Sequence, residues 1–200
     1  MGVKGKLIYG VGTNDYDKEV CKNGKIVPEY EMWRGLLKRV YCLKTKVRKP
    51  SYVGNSVDSK WHSMSAFIDD VSTLIGYEQA ISNGWHLDKD ILGNGNKHYS
   101  KNTCCFVPRE INIVVANKAT LSTQLPLGVR KRPEKDSFVA RLGTCDGRIY
   151  LGDFSTAEQA FLAYKQAKES YIKEIANKWK DQIDPRVYEA LMSWNIVSLT

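Results

Sequence analysis

Residues 128–165, GVRKRPEKDSFVARLGTCDGRIYLGDFSTAEQAFLAYK, decide the fold of the C-terminal half of this chain. Gly128 to Arg132 reads as a short strand stopped by Pro133, and Ser137 to Leu142 alternates bulky and polar residues until Gly143. The Asp146-Gly147 pair in Thr144–Gly147 marks a hairpin, because glycine supplies the positive φ that such turns need. Arg148 to Leu151 is the third strand. Ser155 or Thr156 can cap a helix, with Glu158 or Gln159 three residues on completing a capping box. Ala160, Phe161, Tyr164, Ala167, Tyr171, Ile172, Ile175 and Trp179 then recur at helical spacing, down to about Lys180. One face of the sheet buries against this helix; the other is left for solvent or a ligand, with Arg130, Arg132 and Arg141 available to line it.

Working outward, 200 residues admit one domain or two small ones, and 42% hydrophobic residues suffice for a core. The net charge is +8. It is uneven: residues 1–60 hold 13 Lys/Arg against 6 Asp/Glu, and Lys38–Lys49 holds six basic residues and no acid. Such a run either solvates a surface or sits on phosphates, with Lys44, Lys46, Arg48 and Lys49 as the candidates for the second. Five cysteines without a CxxC spacing suggest neither a disulfide framework nor structural zinc, and point to a reduced, cytoplasmic setting. No signal peptide or membrane span is expected. The small polar residues and Pro126 of 118–127 read as a linker.

Upstream, Tyr30–Tyr41 places Met32, Trp33, Leu36, Leu37 and Val40 on one helical face. Lys60–Ile75 reads as a second amphipathic helix, with Trp61, Met64, Phe67, Ile68 and Val71 inward. Trp85–Leu92 reads as a strand carrying Asp88 and Asp90, two acids that a strand does not favour without a reason. Gly93–Asn96 is a loop, Thr103–Val107 a second strand, and Pro108 opens a helix through Asn117. Asp88, Asp90 and Asn112 are oxygen donors of the kind a hard divalent ion takes.

Two resemblances attach to these residues. GVRKRP, the hairpin, LGDFSTAEQAFLAY and the alanine-rich helix resemble the AP2/ERF DNA-binding domain. That likeness implies a sheet docked in the major groove of double-stranded DNA, with Arg130 and Arg132 foremost, then Arg148, and with Lys131 and Arg141 on the same strands. The chain departs from the plant pattern at Glu134–Ser137 and at Arg141, where an acid is common.

The Trp33…Leu37.Arg39.Tyr41 helix and YSKNTCCFVPREIN, residues 99–112, resemble the ββα-metal nucleases (HNH, or His-Me finger), in particular their phage homing-endonuclease branch. The likeness implies Asp88 and Asn112 as ligands of Mg²⁺ or another divalent ion, with Asp90 nearby, and Asn102 as the loop brace. It also implies the cytoplasm of a bacterial host. No organic cofactor is implied.

The general-base histidine of that family is Lys89 here. Histidine titrates near 6.5, but lysine, near 10.4, is already protonated at neutral pH. Three alternatives stay open: His86 or His98 replaces the base; Lys89 steadies the phosphate as a cation; or the module no longer cuts, and Asp88, Lys89 and Asp90 form a structural ion cluster.

The expected architecture is α+β: an HNH-like module over 1–118 with its core at 28–117, a linker at 119–127, an AP2-like three-stranded antiparallel sheet on one helix at 128–182, and an extension at 183–200. The extension packs back as a short helix or offers a partner surface. The expected function is DNA binding with metal-dependent nicking if the module is active; the alternative is a non-catalytic or host-directed regulator. RNA binding is a weaker third, for want of an aromatic stacking platform.

Overall fold

Pro28, at the first position of a helix where no amide partner is needed, begins the core of the chain's first half. A computed structural model describes residues 7–93, 95–116 and 125–197. The chain mixes helices with small sheets and divides into two compact units, 1–106 and 107–200.

In the first unit, β1 (Cys21–Lys22) and β2 (Lys25–Ile26) form a small hairpin ahead of α1 (Pro28–Tyr41) and α2 (Leu43–Arg48). There follow β3 (Ser56–Val57), α3 (Met64–Val71), α4 (Tyr77–Asn83), β4 (His86–Asp88), α5 (Asp90–Gly93) and β5 (His98–Tyr99), then β6 (Cys105–Val107), whose last residue begins the second unit. β3 pairs in parallel with β5, and β4 and β6 form a second two-stranded sheet.

The apolar face of α1 buries Trp33, Leu36, Leu37 and Val40, four of the five expected residues, and leaves Met32 half-buried. Trp33 Nε1 donates to the Trp61 carbonyl (2.8 Å), and Trp61 Nε1 to Asp70 Oδ2 (2.8 Å). Both indoles are thus buried with their one donor satisfied.

The single helix expected over Lys60–Ile75 is instead a 3-10 turn, Ser59–His62, and α3. Ser63 interrupts it: its Oγ accepts from the Ala66 amide (3.1 Å) and restarts the helix. Asp15 fixes the junction, accepting from Ser63 Oγ (2.6 Å) and the Ser65 amide (2.9 Å). The five expected inward residues are all buried.

The second unit holds α6 (Arg109–Val115), β7 (Val129–Arg132), β8 (Ser137–Gly143), β9 (Arg148–Phe154), α7 (Ala157–Trp179) and α8 (Pro185–Met192). Pro108 is the N-cap of α6, and Asn117 lies outside the described residues, as does most of the expected linker. Glu110 on α6 accepts from Lys178 Nζ and Trp179 Nε1, both at 2.8 Å. Burial works to raise its pKa, but those two donors outweigh it and hold the carboxyl below its ordinary value. These bonds group α6 with α7, although the sequence assigns it to the N-terminal module.

β7, β8 and β9 form an antiparallel sheet in sequence order. Thr156 caps α7 by accepting from the Gln159 amide. Val129, Ala140 and Leu142 of the sheet bury against Ala160, Phe161 and Tyr164 of α7, with Ile196 from the C-terminal segment. Asp184 caps α8, accepting from the Arg186 amide (2.8 Å), and Val187 and Leu191 are buried. The extension therefore turns its main apolar side chains inward. No helix among the described residues is long and apolar enough to cross a membrane.

Candidate functional site

Strand register sorts the arginines of the second unit. Cross-strand partners share a face, and Val129 pairs with Ala140, both in the helix-side core. The next pairs, Arg130 with Val139 and Arg132 with Ser137, therefore lie on the outward face. Val139 pairs on with Asp153, and Arg141 with Tyr150. Between them the register shifts: Ala140 faces Gly152 while Arg141 faces Tyr150, leaving Leu151 as the extra residue of a bulge. The bulge brings Tyr150 and Asp153, three apart in sequence, onto the arginine face. Gly143 pairs with Arg148, which extends that face toward the hairpin.

The face thus joins Arg130, Arg132, Arg141, Arg148, Tyr150 and Asp153. Asp153 accepts from Tyr150 Oη (2.5 Å) and from Arg132 Nη1 (3.2 Å). The tyrosine bond, with Arg132 beside it, holds the Asp153 carboxyl below its usual range, and the same bond pushes the Tyr150 hydroxyl up. Arg132 also approaches Glu134 (3.8 Å). Arg130, Arg141 and Arg148 are exposed and enter no ion pair among the described residues. Lys131 does not belong with them. Alternation turns it to the other side of the strand, where its ammonium pairs with Asp136 (3.3 Å) and lies 5.9 Å from the Phe138 ring centroid.

The acidic turn of the first unit differs from expectation. The strand ends at Asp88, and Asp90 begins α5. Asp88 Oδ1 accepts from the amides of Asp90 (2.8 Å) and Ile91 (3.0 Å), so the carboxylate caps this turn. Burial raises its pKa, against those two amides. Lys89 is 5% exposed; its ammonium donates to the Asp90 carboxylate and lies 5.4 Å from the Tyr99 ring centroid. A buried ammonium thus meets a counter-charge and an aromatic face.

His86 is exposed and, by alternation, shares a strand face with Asp88. His98 lies on β5 and not in a loop, with Nδ1 2.9 Å from Ser56 Oγ. Asn102 is exposed in the turn before β6, and the side chain that braces this loop is Thr103. Its Oγ1 accepts from the Ser100 amide (3.0 Å) and donates to the His98 carbonyl (2.7 Å). Asn112 is on α6, so the two implied metal ligands, Asp88 and Asn112, fall in different units.

Among the described residues, no group of three or more His, Cys, Asp or Glu side chains is disposed to hold a metal ion. At the Asp88–Asp90 turn, one carboxylate already caps a helix and the other meets an ammonium. These side chains do not form the oxygen cage a hard cation takes.

The cap makes a prediction. Asp88→Ala lowers the stability of the chain by about 1 kcal/mol, within the range of lost N-caps, whereas Asp88→Asn, which keeps an accepting oxygen, lowers it by only a few tenths. Urea unfolding of the two variants measures the difference; equal losses would mean the cap is not what Asp88 contributes.

The sequence reading missed Tyr150 and Asp153. No family model, curated protein or solved structure matches the chain.

Proposed function

We propose that this chain is a double-stranded-DNA-binding protein that presents the outward face of the β7–β9 sheet to the major groove. The observation that carries the reading is the convergence of Arg130, Arg132, Arg141 and Arg148 on the face of the sheet opposite α7. A β-ribbon fits the major groove, and a guanidinium there reads guanine O6 and N7 with two parallel bonds. The exposed arginines are available for such contacts. Arg132, held by Asp153, is oriented before the duplex arrives. The cations of the Lys38–Lys49 run, Lys44, Lys46, Arg48 and Lys49 among them, supply sequence-independent affinity through counterion release.

Asp153 sets a limit on that affinity. A carboxylate on a surface that meets phosphates repels them, and Asp153→Asn raises affinity for mixed-sequence duplex by about threefold to tenfold at low salt, an effect that added salt erases. A mobility-shift titration at two salt concentrations checks this; unchanged binding would place Asp153 away from the duplex.

A second reading is metal-dependent nicking of the bound DNA. It rests on the HNH resemblance and on His86 sharing a strand face with Asp88. The disposition of Asp88, Lys89 and Asp90 favours binding without cleavage. Selection of bound duplexes from a random pool, followed by incubation of supercoiled plasmid with saturating protein and Mg²⁺ or Mn²⁺, tests both. The binding reading expects a selected consensus and an intact plasmid. Conversion to open circles that is lost in Asp88→Asn would establish the second, and no duplex retained at low salt would refute both.

A further inference from the structure

The short helix α2, Leu43–Arg48, carries the two most exposed large apolar side chains among the described residues: Leu43 is 76% and Val47 82% exposed. Single exposed aliphatics need no explanation. These two are one turn apart on the same helix face, and Thr45, the buried residue of the helix, fixes its rotation.

At about 100° per residue, Thr45 points opposite the midpoint between Leu43 and Val47. Those two therefore form the crest of the helix. Lys44 and Lys46 fall about 80° to either side of it, with Arg48 beyond Lys44. The result is an apolar ridge with Lys44 and Arg48 on one flank and Lys46 on the other. Lys49 adds charge at its C-terminal end, and no acid lies between Lys38 and Lys49.

We propose that this ridge is a wedge for the minor groove of duplex DNA. The inference rests on the DNA-binding reading above and extends it to a second contact, of a different kind, in the other unit. A minor groove is narrow, with a phosphate row on each wall, so cations on both flanks of one ridge match it. Aliphatic side chains that enter it part a base step and kink the duplex toward the major groove. Leu43 and Val47 enter between the bases, and Lys44 and Lys46 hold the phosphates of opposite strands.

An anionic lipid surface also accepts an apolar crest between lysines. Two short aliphatic side chains, however, offer much less apolar area than the single acyl chain that by itself binds membranes only marginally.

The test uses the full chain and a short mixed-sequence duplex with a fluorescence donor and acceptor at its two ends, read for binding by anisotropy and for bending by energy transfer. Wild type raises the transfer on binding. The variant with Leu43→Ala and Val47→Ala, both at exposed positions, binds within about threefold of wild type, because phosphates dominate affinity, but leaves the transfer of the free duplex. The variant with Lys44→Gln and Lys46→Gln loses affinity, and the slope of log affinity against log salt flattens by about two.

Wild type that binds without a change in transfer, or an apolar-pair variant that bends as well as wild type, overturns the wedge and leaves the DNA-binding reading standing. Failure of wild type to bind the duplex at all takes both down. Sedimentation of the chain with phosphatidylserine vesicles that depends on Leu43 and Val47, alongside an unbent duplex, would assign the ridge to lipid and overturn the proposal.

Discussion

Gly128→Ala lowers the stability of the second unit by about 3 kcal/mol, the sum of a backbone and a packing cost. Gly128 has φ +78°, where an L side chain is strained by about 1 to 2 kcal/mol. A Cβ built there would also lie 2.1 Å from Tyr164 Cδ2 and 2.3 Å from its Cγ. That ring is 5% exposed and shares the core with Val129, Ala140, Ala160 and Phe161, so it cannot swing aside without opening the contact between sheet and helix. Overpacking of this kind adds about 1 to 3 kcal/mol. For a unit of this size the combined cost lowers the melting temperature by on the order of 15 °C. Calorimetry of the full chain checks it; a shift of less than about 3 °C would mean that Gly128 is not pinned between the sheet and Tyr164. The glycine that opens GVRKRP is thus explained by a ring on α7.

The C-terminal sheet and helix were legible because each signal was local. Asp146-Gly147 closes the hairpin, Pro133 ends β7, Thr156 caps α7, and the apolar period of α7 is sustained over many turns. Strand alternation alone predicts that Lys131 faces away from Arg130 and Arg132. The same rule conceals Tyr150 and Asp153, because residues three apart share a face only through the bulge at Leu151, for which Gly152, a strand glycine at φ +134°, was the one local signal.

The part of the chain ahead of β7 was harder to read because distant contacts decide it. Ser63 restarts α3 with Asp15 behind it, and α6 sides with α7 through Glu110, which meets Lys178 and Trp179 almost seventy residues on. At the acidic turn a usable signal was present. Asp88 followed by a short run to Gly93 is the pattern of a capped helical turn, and reading it so gives the reason for an aspartate at the end of a strand.

Arg130→Ala combined with Arg141→Ala weakens binding to a selected duplex by at least about 30-fold. Each guanidinium that reads a base contributes about 1 to 3 kcal/mol, and tenfold corresponds to about 1.4 kcal/mol, so two contacts give that loss at the lower bound and far more at the upper. Both side chains are exposed and outside the core, so the double variant keeps the fold. The loss on mixed-sequence duplex is smaller, because there only the two charges are missing. Equal loss on both duplexes, with a salt slope reduced by about two, would assign these arginines to phosphates and the base contacts to other residues.

Whether the outward arginine face of β7–β9 grips duplex DNA is decided by an anisotropy titration of one selected duplex with wild type and with the Arg130→Ala, Arg141→Ala variant in the same buffer. The account predicts tight, salt-sensitive binding by wild type and a curve displaced by at least about 30-fold for the variant. Superimposable curves from two folded proteins would contradict it.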